Sequence, residues 1–434
     1  MGIYTAYNFP WVDEAIEAHM QVLKDICLST LGPNIRSLVL NGSFGRGEGS
    51  VLIHPDNSVE PLRDYDIRLM LSRSVPTEVI ERIRSRFMQT TGLGQISEHF
   101  SGEHGFSLTV ESMTVDQFAS VFVRDCDLRA YDHLHASRVI YGEDLSPPLR
   151  FPASKIPKVN GLRLLYQKMI GLVGHFLGPQ ISGDFRRTLI YECDKSFVEI
   201  CTALVLLADA YVPSYRARAE LFIRHWRTWF PSLVRELPQL AEEINRATEE
   251  KLYPKPITQT TPLEAFTHSR EALLIVHQFY LNQLYNLSGE TGAPTCQQVR
   301  QALQRDYFRV SVANWLSAKR LNYEPASWGL NIIYHRLLKY RFARGIGQSV
   351  LRALWLSLKT REAPLIDIFL GAWCTLAAAG RIPNESLLRC AERILDNNLG
   401  GTHENGGQPR IGWERYLAVR SHVLHAYTII QHTG

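Results

Sequence analysis

A run of small residues at positions 41 to 50 constrains the fold of this chain more than any other segment. Four glycines and two serines occupy those ten positions, directly after the short apolar run at positions 37 to 40. Glycine adopts backbone conformations closed to other residues, and it lets the main chain approach another group closely. The pattern therefore predicts a short buried strand that ends in a tight turn.

An alternating segment, DYDIRLML, follows at positions 64 to 71. Asp64, Asp66 and Arg68 alternate with apolar residues, so these three side chains are predicted to lie on one face of a strand. Two aspartates at this spacing are about 6.5 to 7 Å apart along the backbone, which lets them share divalent cations. A second alternating segment, at positions 105 to 115, predicts another strand with Glu111 on its polar face.

Helical periodicity surrounds these strands, at positions 12 to 29 and again after Ser74, which is predicted to cap a helix that ends at Gly92. A proline-rich stretch at positions 145 to 156 predicts a linker. Almost every later segment has helical period, for example positions 194 to 211. We therefore expect an α+β chain, with a mixed β-sheet and helices in the N-terminal region and an all-α C-terminal region.

Length and composition limit the other properties of the chain. With 434 residues, more than one domain is expected, and the predicted boundaries give domains at 1–150, 151–290 and 291–434. The uncharged apolar stretch at positions 368 to 380 is too short to cross a bilayer, so no membrane is expected as a partner. The seven cysteines form no CxxC pair and no cluster with zinc-ligand spacing. Without a secretory signal, they favour a cytoplasmic location.

The order GSFGRGEG at positions 42 to 49, then DYDI at 64 to 67, resembles the nucleotidyltransferase superfamily of DNA polymerase β. The signature of that superfamily is a Gly-Ser turn followed by an acid-x-acid strand. The resemblance covers roughly residues 30 to 145, and the segment 203 to 218 is similar to helical domains that follow this fold in nucleotidyltransferases with small substrates. It implies that the N-terminal sheet is of the nucleotidyltransferase type.

The resemblance also implies roles for particular residues. Gly42 and Ser43 would hold a triphosphate, while Asp64 and Asp66 would bind two Mg²⁺ ions, or Mn²⁺ in their place. Glu111 is the first candidate for the third metal-binding acid and for the general base. Glu98 and Asp116 are the alternatives for that third acid.

Several further side chains have two interpretations each. Arg46 is either a contact to the nucleotide or half of a local surface pair with Glu48, which could instead cap the turn. Lys195 either reaches the triphosphate or lies at a solvated helix end. Tyr215, like Tyr211, either stacks on the nucleotide base or packs in the core. Arg216 and Arg218 are predicted to be solvated.

Two departures from the superfamily pattern limit the resemblance. The gap between Ser43 and Asp64 is long, which predicts a hairpin or loop insertion at positions 50 to 63. Arg68 stands on the acid face of its strand, where it would pair with Glu111, contact a phosphate, or mark a degenerate, non-catalytic nucleotide-binding module.

These features predict an enzyme that moves a nucleoside monophosphate from an NTP, with ATP favoured, to a hydroxyl or amine. The expected acceptor is a small molecule or a sugar-containing metabolite. Positions 325 to 361 contain seven Lys or Arg residues and no acid. That stretch is either a charged helical face or a binding surface for a nucleic acid or protein acceptor.

Overall fold

The chain divides into two compact units, each formed by two separate stretches of sequence. The first unit contains Met1–Asn160 and Cys201–Thr260, and the second contains Gly161–Ile200 and Thr261–Gly434. The computed structural model describes residues 2–93, 106–124, 126–179, 184–255, 261–286, 298–301, 340, 350–351, 364–380, 382–396 and 411–433. The predicted boundaries at 150 and 290 assume consecutive domains, whereas these units interleave along the chain.

Six strands are present in the described residues, all in the first unit. They are β1 (Ile35–Leu40), β2 (Val51–Ile53), β3 (Val59–Pro61), β4 (Asp64–Leu71), β5 (Ser107–Thr114) and β6 (Arg138–Gly142). A four-stranded sheet has the order β5-β4-β1-β6, and β2 pairs with β3 in a separate hairpin. This hairpin confirms the insertion predicted between Ser43 and Asp64.

Helices account for the remaining regular structure. The helices with at least some residues in the first unit are α1 (Pro10–Leu31), α2 (Gly42–Gly45), α3 (Thr77–Thr91), α4 (Val115–Arg124), α5 (Leu128–Ala136), α6 (Val159–His175), α7 (Asp184–Leu207), α8 (Tyr215–Trp229), α9 (Pro231–Glu236) and α10 (Leu240–Leu252). The others are α11 (Pro262–Tyr285), α12 (Pro364–Ala378), α13 (Glu385–Leu395) and α14 (Gly412–Thr433). Beyond β6 the described regular elements are all helical, so the predicted α+β class is confirmed.

The register of the sheet brings the predicted polar faces of two strands together. β4 runs parallel to β5, with Asp66 opposite Thr109 and Arg68 opposite Glu111. β1 runs antiparallel to both β4 and β6, so the sheet is mixed. Since side chains of paired residues point to the same side, Asp66, Arg68 and Glu111 lie on one face.

The opposite face of β4 belongs to the hydrophobic core. Tyr65 is fully buried there. Its ring makes edge contacts with Phe44 and Phe106, at centroid distances of 4.8 and 4.9 Å. Its hydroxyl lies 2.9 Å from Nδ1 of His19 on α1. This packing fixes β4, and therefore fixes which side its aspartates occupy.

One helix start differs from its prediction. The residue that precedes α3 is Pro76, whose ψ of 149° is extended, and the helix begins at Thr77. Ser74 is therefore not the cap. Proline disfavours helical backbone in the residue before it, so the chain cannot become helical at Val75. The predicted end at Gly92 is confirmed, with a left-handed φ of 72°.

The second unit has an aromatic core between its helices. The Phe176 ring stacks on Phe266 at 3.6 Å, and the Tyr166 ring stacks on Phe369 at 4.7 Å. α11 begins with a capping box in which Thr261 and Glu264 satisfy each other's backbone N–H groups. Over the described part of the chain, no helix has both the length and the apolar character needed to cross a membrane.

Candidate active site

The glycine turn lies directly against the second aspartate of β4. The backbone N–H of Asn41 donates to the backbone carbonyl of Asp66 at 2.7 Å. Gly42 has a left-handed φ of 62°, and a Cβ atom placed there would overlap Oδ2 of Asp66. Another residue here would displace this carboxylate and strain the left-handed backbone. The sequence order turn-then-acid thus corresponds to a close approach in space.

A cavity of about 190 Å³ opens beside this contact. Its lining combines the turn, the polar faces of β4 and β5, and one face of α5. The lining residues are Asn41, Gly42, Arg46, Asp66, Ile67, Arg68, Thr109, Glu111, Arg129, Asp132 and His133. Three carboxylates and three guanidinium groups therefore face one small volume, and their formal charges balance.

Asp66 lies in a strongly perturbed electrostatic environment. Burial raises its pKa to about 6, and the negative charges of Asp64 and Glu111 add to the increase. The positive charge of Arg129 acts in the opposite direction. Neighbouring carboxylates that repel each other in a partly buried position favour a bound cation, which would relieve the repulsion.

Asp64 and Asp66 fit the donor set expected for Mg²⁺, which commonly uses one or two protein carboxylates and substrate phosphates. A three-carboxylate site does not follow from the geometry, because no group of three acidic, His or Cys side chains with metal-binding geometry occurs among the described residues. The aspartate pair is thus the part of the predicted metal site that fits.

Glu111 is held by arginine side chains from two different elements. Nη2 of Arg68 donates a short hydrogen bond to Oε2 of Glu111. Nη2 of Arg129 donates to Oε1 at 2.8 Å. Burial acts to raise the pKa of Glu111, but the two arginines outweigh it and hold the pKa below its usual value. Arg68 thus makes the pairing with Glu111 that was one of its predicted alternatives.

The other candidates for a third acid have different positions. Asp116 is exposed near the start of α4 and does not line the cavity. Glu98 lies outside the described residues. Glu111 therefore remains the candidate that faces the cavity, although as a paired carboxylate.

Arg46 and Glu48 are buried, so the surface-pair interpretation is wrong. Nη1 of Arg46 lies 3.2 Å from Oδ2 of Asp132, whereas its Nε is 3.9 Å from Glu48. Glu48 accepts hydrogen bonds from the Ser214 hydroxyl and from the N–H groups of Tyr215 and Arg216. It caps α8 rather than the glycine turn.

Tyr215 lies among cationic side chains in the first unit. Its ring centroid is 4.7 Å from the guanidinium carbon of Arg46, 4.7 Å from that of Arg218, and 5.6 Å from Nζ of Lys251. Arg218 is only 2% exposed and donates to the hydroxyl of Tyr211 at 2.9 Å. The prediction that Arg218 is solvated is therefore wrong, because the tyrosine rings and hydroxyl compensate for its burial.

Lys195 lies on the part of α7 that belongs to the second unit, and its predicted contact with a triphosphate stays a prediction. Lys168, which the sequence pattern did not single out, lies near Lys195 in the same unit. Burial lowers the pKa of Lys168, and the positive charge of Lys195 lowers it further. Apart from positions 340, 350 and 351, the basic stretch at 325 to 361 lies outside the described residues.

The α5 helix contributes residues that the sequence pattern did not single out. Arg129, Asp132 and His133 stand at i, i+3 and i+4 of that helix, the spacing that places side chains on one face. Burial lowers the pKa of His133 to about 3, with a smaller contribution from the charge of Arg68. The imidazole is therefore neutral at physiological pH. The spacing of these three polar residues was the only sequence signal that pointed to them, but the polar faces of many solvated helices show the same spacing.

Comparisons with protein-family models and with curated proteins give no match. Among solved structures, the chain is similar to a spectinomycin adenyltransferase from Enterococcus faecialis, crystallised with ATP and spectinomycin. The two chains share 11% sequence identity with a TM-score of 0.35. The similarity covers 61% of this chain and 98% of that chain. A TM-score this low does not establish a shared fold.

Proposed function

We propose that this chain is a nucleotidyltransferase that moves a nucleoside monophosphate from an NTP, most simply ATP, to an acceptor hydroxyl or amine. The observation that supports this most strongly is the contact between Gly42 and the Asp66 carboxylate at the edge of a charged cavity. A glycine turn lets backbone N–H groups approach a phosphate closely, and the acidic strand beside it can hold the divalent cations that accompany phosphates. A simple connecting turn has no need of that contact.

In this proposal, Asp64 and Asp66 hold the divalent cations, either Mg²⁺ or Mn²⁺. When bound, these ions neutralise phosphate charge and make an attacking hydroxyl more acidic. The backbone of Gly42 and Ser43 holds the terminal phosphates. Arg46 supplies positive charge from its buried position beside the cavity. Contact of Tyr215 with the nucleotide is part of the same proposal.

The proposed reaction is a substitution at the α-phosphorus. The acceptor oxygen or nitrogen forms a bond to that phosphorus, and the bond from the phosphorus to the bridging oxygen of the β-phosphate breaks. Pyrophosphate leaves with the electron pair of that bond. The acceptor proton passes to a base, for which Glu111 is the candidate that faces the cavity.

The size of the cavity indicates which part of the substrate it receives. About 190 Å³ is below the roughly 300 to 1,000 Å³ typical of sites that enclose a whole ligand. The cavity suits the reacting phosphates rather than the complete nucleotide. We propose a small molecule or a sugar-containing metabolite as the acceptor, with a protein or RNA acceptor as the alternative.

Pyrophosphate release from each NTP, with and without Mg²⁺, tests the proposal. Mass spectrometry of candidate acceptors would show a mass increase of one nucleoside monophosphate. Asp64→Asn and Asp66→Asn should abolish release. Asp25→Asn, which changes an exposed aspartate on α1, should leave it unchanged. Equal pyrophosphate release by wild type and Asp66→Asn would contradict the proposal.

A non-catalytic nucleotide-binding module is the second candidate function. The pairing of Glu111 with Arg68 and Arg129 favours it, because a carboxylate held by two arginines is not free to accept a proton. Nucleotide binding without pyrophosphate release, under all four NTPs and with a broad set of acceptors, would distinguish this module from an enzyme.

A further inference from the structure

The two oxygens of the Glu111 carboxylate have different partners in different surroundings. Oε2 accepts from Arg68, whose side chain is 10% exposed. Oε1 accepts from Arg129, whose side chain is 80% exposed. One carboxylate is therefore held by a buried arginine on its own sheet and by a solvent-exposed arginine on a neighbouring helix.

These two ion pairs differ in how easily they exchange. A buried charge that loses its partner carries a large desolvation penalty, which keeps Arg68 on Glu111. An exposed ion pair contributes little net stability, because water solvates each group nearly as well after separation. Arg129 can therefore leave Glu111 at low cost, whereas Arg68 cannot.

The exposure and ion pairs of the arginines in the cavity identify which of them can bind an incoming anion. Arg46 is only 7% exposed and pairs with Asp132. Arg68 is also buried and paired. Of the three arginines that line the cavity, Arg129 alone combines an exposed side chain with a position close enough to act on Asp66 electrostatically. The guanidinium of Arg129 is therefore the positive group that can turn from Glu111 to a phosphate chain entering the cavity.

We propose that Arg129 is a polyphosphate-binding residue that exchanges Glu111 Oε1 for the phosphates of the incoming nucleotide, an inference that rests on the proposed function. In the ligand-free protein Arg129 occupies Oε1. In the liganded protein Arg129 binds phosphate and Oε1 becomes free, while Arg68 keeps Oε2 and holds the carboxylate in position. Arrival of the phosphates thereby frees the group that is to receive the acceptor proton.

A thermodynamic cycle with inorganic tripolyphosphate tests this exchange without requiring turnover. Isothermal titration calorimetry would measure tripolyphosphate binding to wild type, Arg129→Met, Glu111→Gln and the double variant. A charge-assisted hydrogen bond lost with Arg129 should weaken binding by about tenfold or more. Arg129→Lys should recover part of the affinity. Arg36→Met is the matched control, since Arg36 makes an exposed pair with Glu143 at 2.8 Å and does not line the cavity.

The effect of Glu111→Gln on tripolyphosphate affinity distinguishes the exchange from a purely structural role of Arg129. A structural role would make that effect the same with and without Arg129. Removal of the competing negative charge should tighten tripolyphosphate binding when Arg129 is present. The gain should be much smaller in the Arg129→Met background. An equal gain in both backgrounds, or wild-type affinity in Arg129→Met, would overturn the exchange.

The outcomes separate this inference from the proposed function. If pyrophosphate is released from NTP and Arg129→Met binds tripolyphosphate normally, the exchange is wrong and the nucleotidyltransferase proposal stands. If the cycle shows coupling but no NTP is turned over, the exchange stands and the enzymatic proposal is wrong. Absence of tripolyphosphate binding by wild type would overturn the exchange directly.

Discussion

The carboxylate of Glu48 accepts a 2.7 Å hydrogen bond from the hydroxyl of Ser214, a residue 166 positions later in the chain. The same carboxylate accepts from the N–H groups of Tyr215 and Arg216, the first two residues of α8, at 2.8 and 3.1 Å. It is fully buried. The side chain of Glu48 thus accepts from two of the backbone N–H groups that have no partner within the first turn of α8. It also attaches the glycine-rich segment to α8.

Replacement of Glu48 should strongly destabilise the first unit. Glu48→Ala leaves two backbone N–H groups and one hydroxyl of partly buried residues without their acceptor, so we expect a loss of about 3 to 5 kcal/mol. Urea denaturation followed by tryptophan fluorescence would measure it. Glu81→Ala, which removes an exposed pair with Arg84, should cost less than about 1 kcal/mol. Similar losses for the two variants would contradict this assignment.

Gly42→Ala should impair nucleotide binding beyond its effect on stability. The added methyl group would overlap the Asp66 carboxylate, and the backbone has a left-handed φ. Gly92→Ala separates these effects, because Gly92 has a φ of 72° and no atom within 4 Å of the new methyl group. Both variants should lose about 1 kcal/mol or more from backbone strain.

Only Gly42→Ala should lose pyrophosphate release, measured under conditions in which both variants are folded. Retained turnover in Gly42→Ala would show that the turn does not need its close approach to Asp66.

Asp132→Asn should destabilise the protein through Arg46. Asp132 pairs with the buried Arg46 and accepts a 2.6 Å hydrogen bond from the hydroxyl of Tyr211. Loss of the negative charge leaves the Arg46 guanidinium undercompensated, and we expect about 2 to 4 kcal/mol of destabilisation. Thermal unfolding would measure it. Asp209→Asn, which alters an exposed pair with Lys158, should shift the melting temperature little.

Acid should destabilise the second unit through His277. The imidazole is fully enclosed against the ring of Tyr166, with a centroid distance of 4.7 Å, and burial lowers its pKa to about 3. The unfolded chain binds a proton below about pH 6.5, whereas the folded chain does so only near pH 3. Stability should therefore be complete above about pH 6.5 and fall by up to about 1.4 kcal/mol per pH unit below it.

The slope of urea-derived stability between pH 7 and pH 5 tests this expectation. His277→Leu should reduce the slope, because it removes the group that takes up the proton on unfolding. His268→Gln, at an exposed position of the same helix, serves as the control and should keep the wild-type slope. An unchanged slope in His277→Leu would rule out His277 as the source.

The parts of the site that the sequence predicts correctly depend on local patterns. Alternation along positions 64 to 71 fixes which side chains share a face, because the period of a strand is two. The glycine turn then places the chain next to that face. The pairing of Arg68 with Glu111 follows from two alternating strands side by side, which is why it was one of the predicted alternatives.

The parts that the sequence does not predict depend on contacts between distant segments. Nothing around Glu48 indicates that its partner is Ser214, and nothing around Arg218 indicates that it is buried beside Tyr211. Charge usually marks a solvated residue, so buried arginines are predicted wrongly until their compensating partners are known. The contribution of α5 was missed for the same reason, since its polar face resembles that of any surface helix.

The interleaved course of the chain has a consequence for biosynthesis. The hydroxyl of Ser50 donates to the carbonyl of Lys251 at 2.6 Å, across 201 residues. During translation, the strands around residues 35 to 71 leave the ribosome long before this partner exists. All four strands of the N-terminal sheet have been synthesised by residue 142, but the surface around Ser50 stays uncovered until synthesis passes residue 251. A nascent chain halted at residue 160 should therefore be more open to protease around Ser50 than one halted at residue 300.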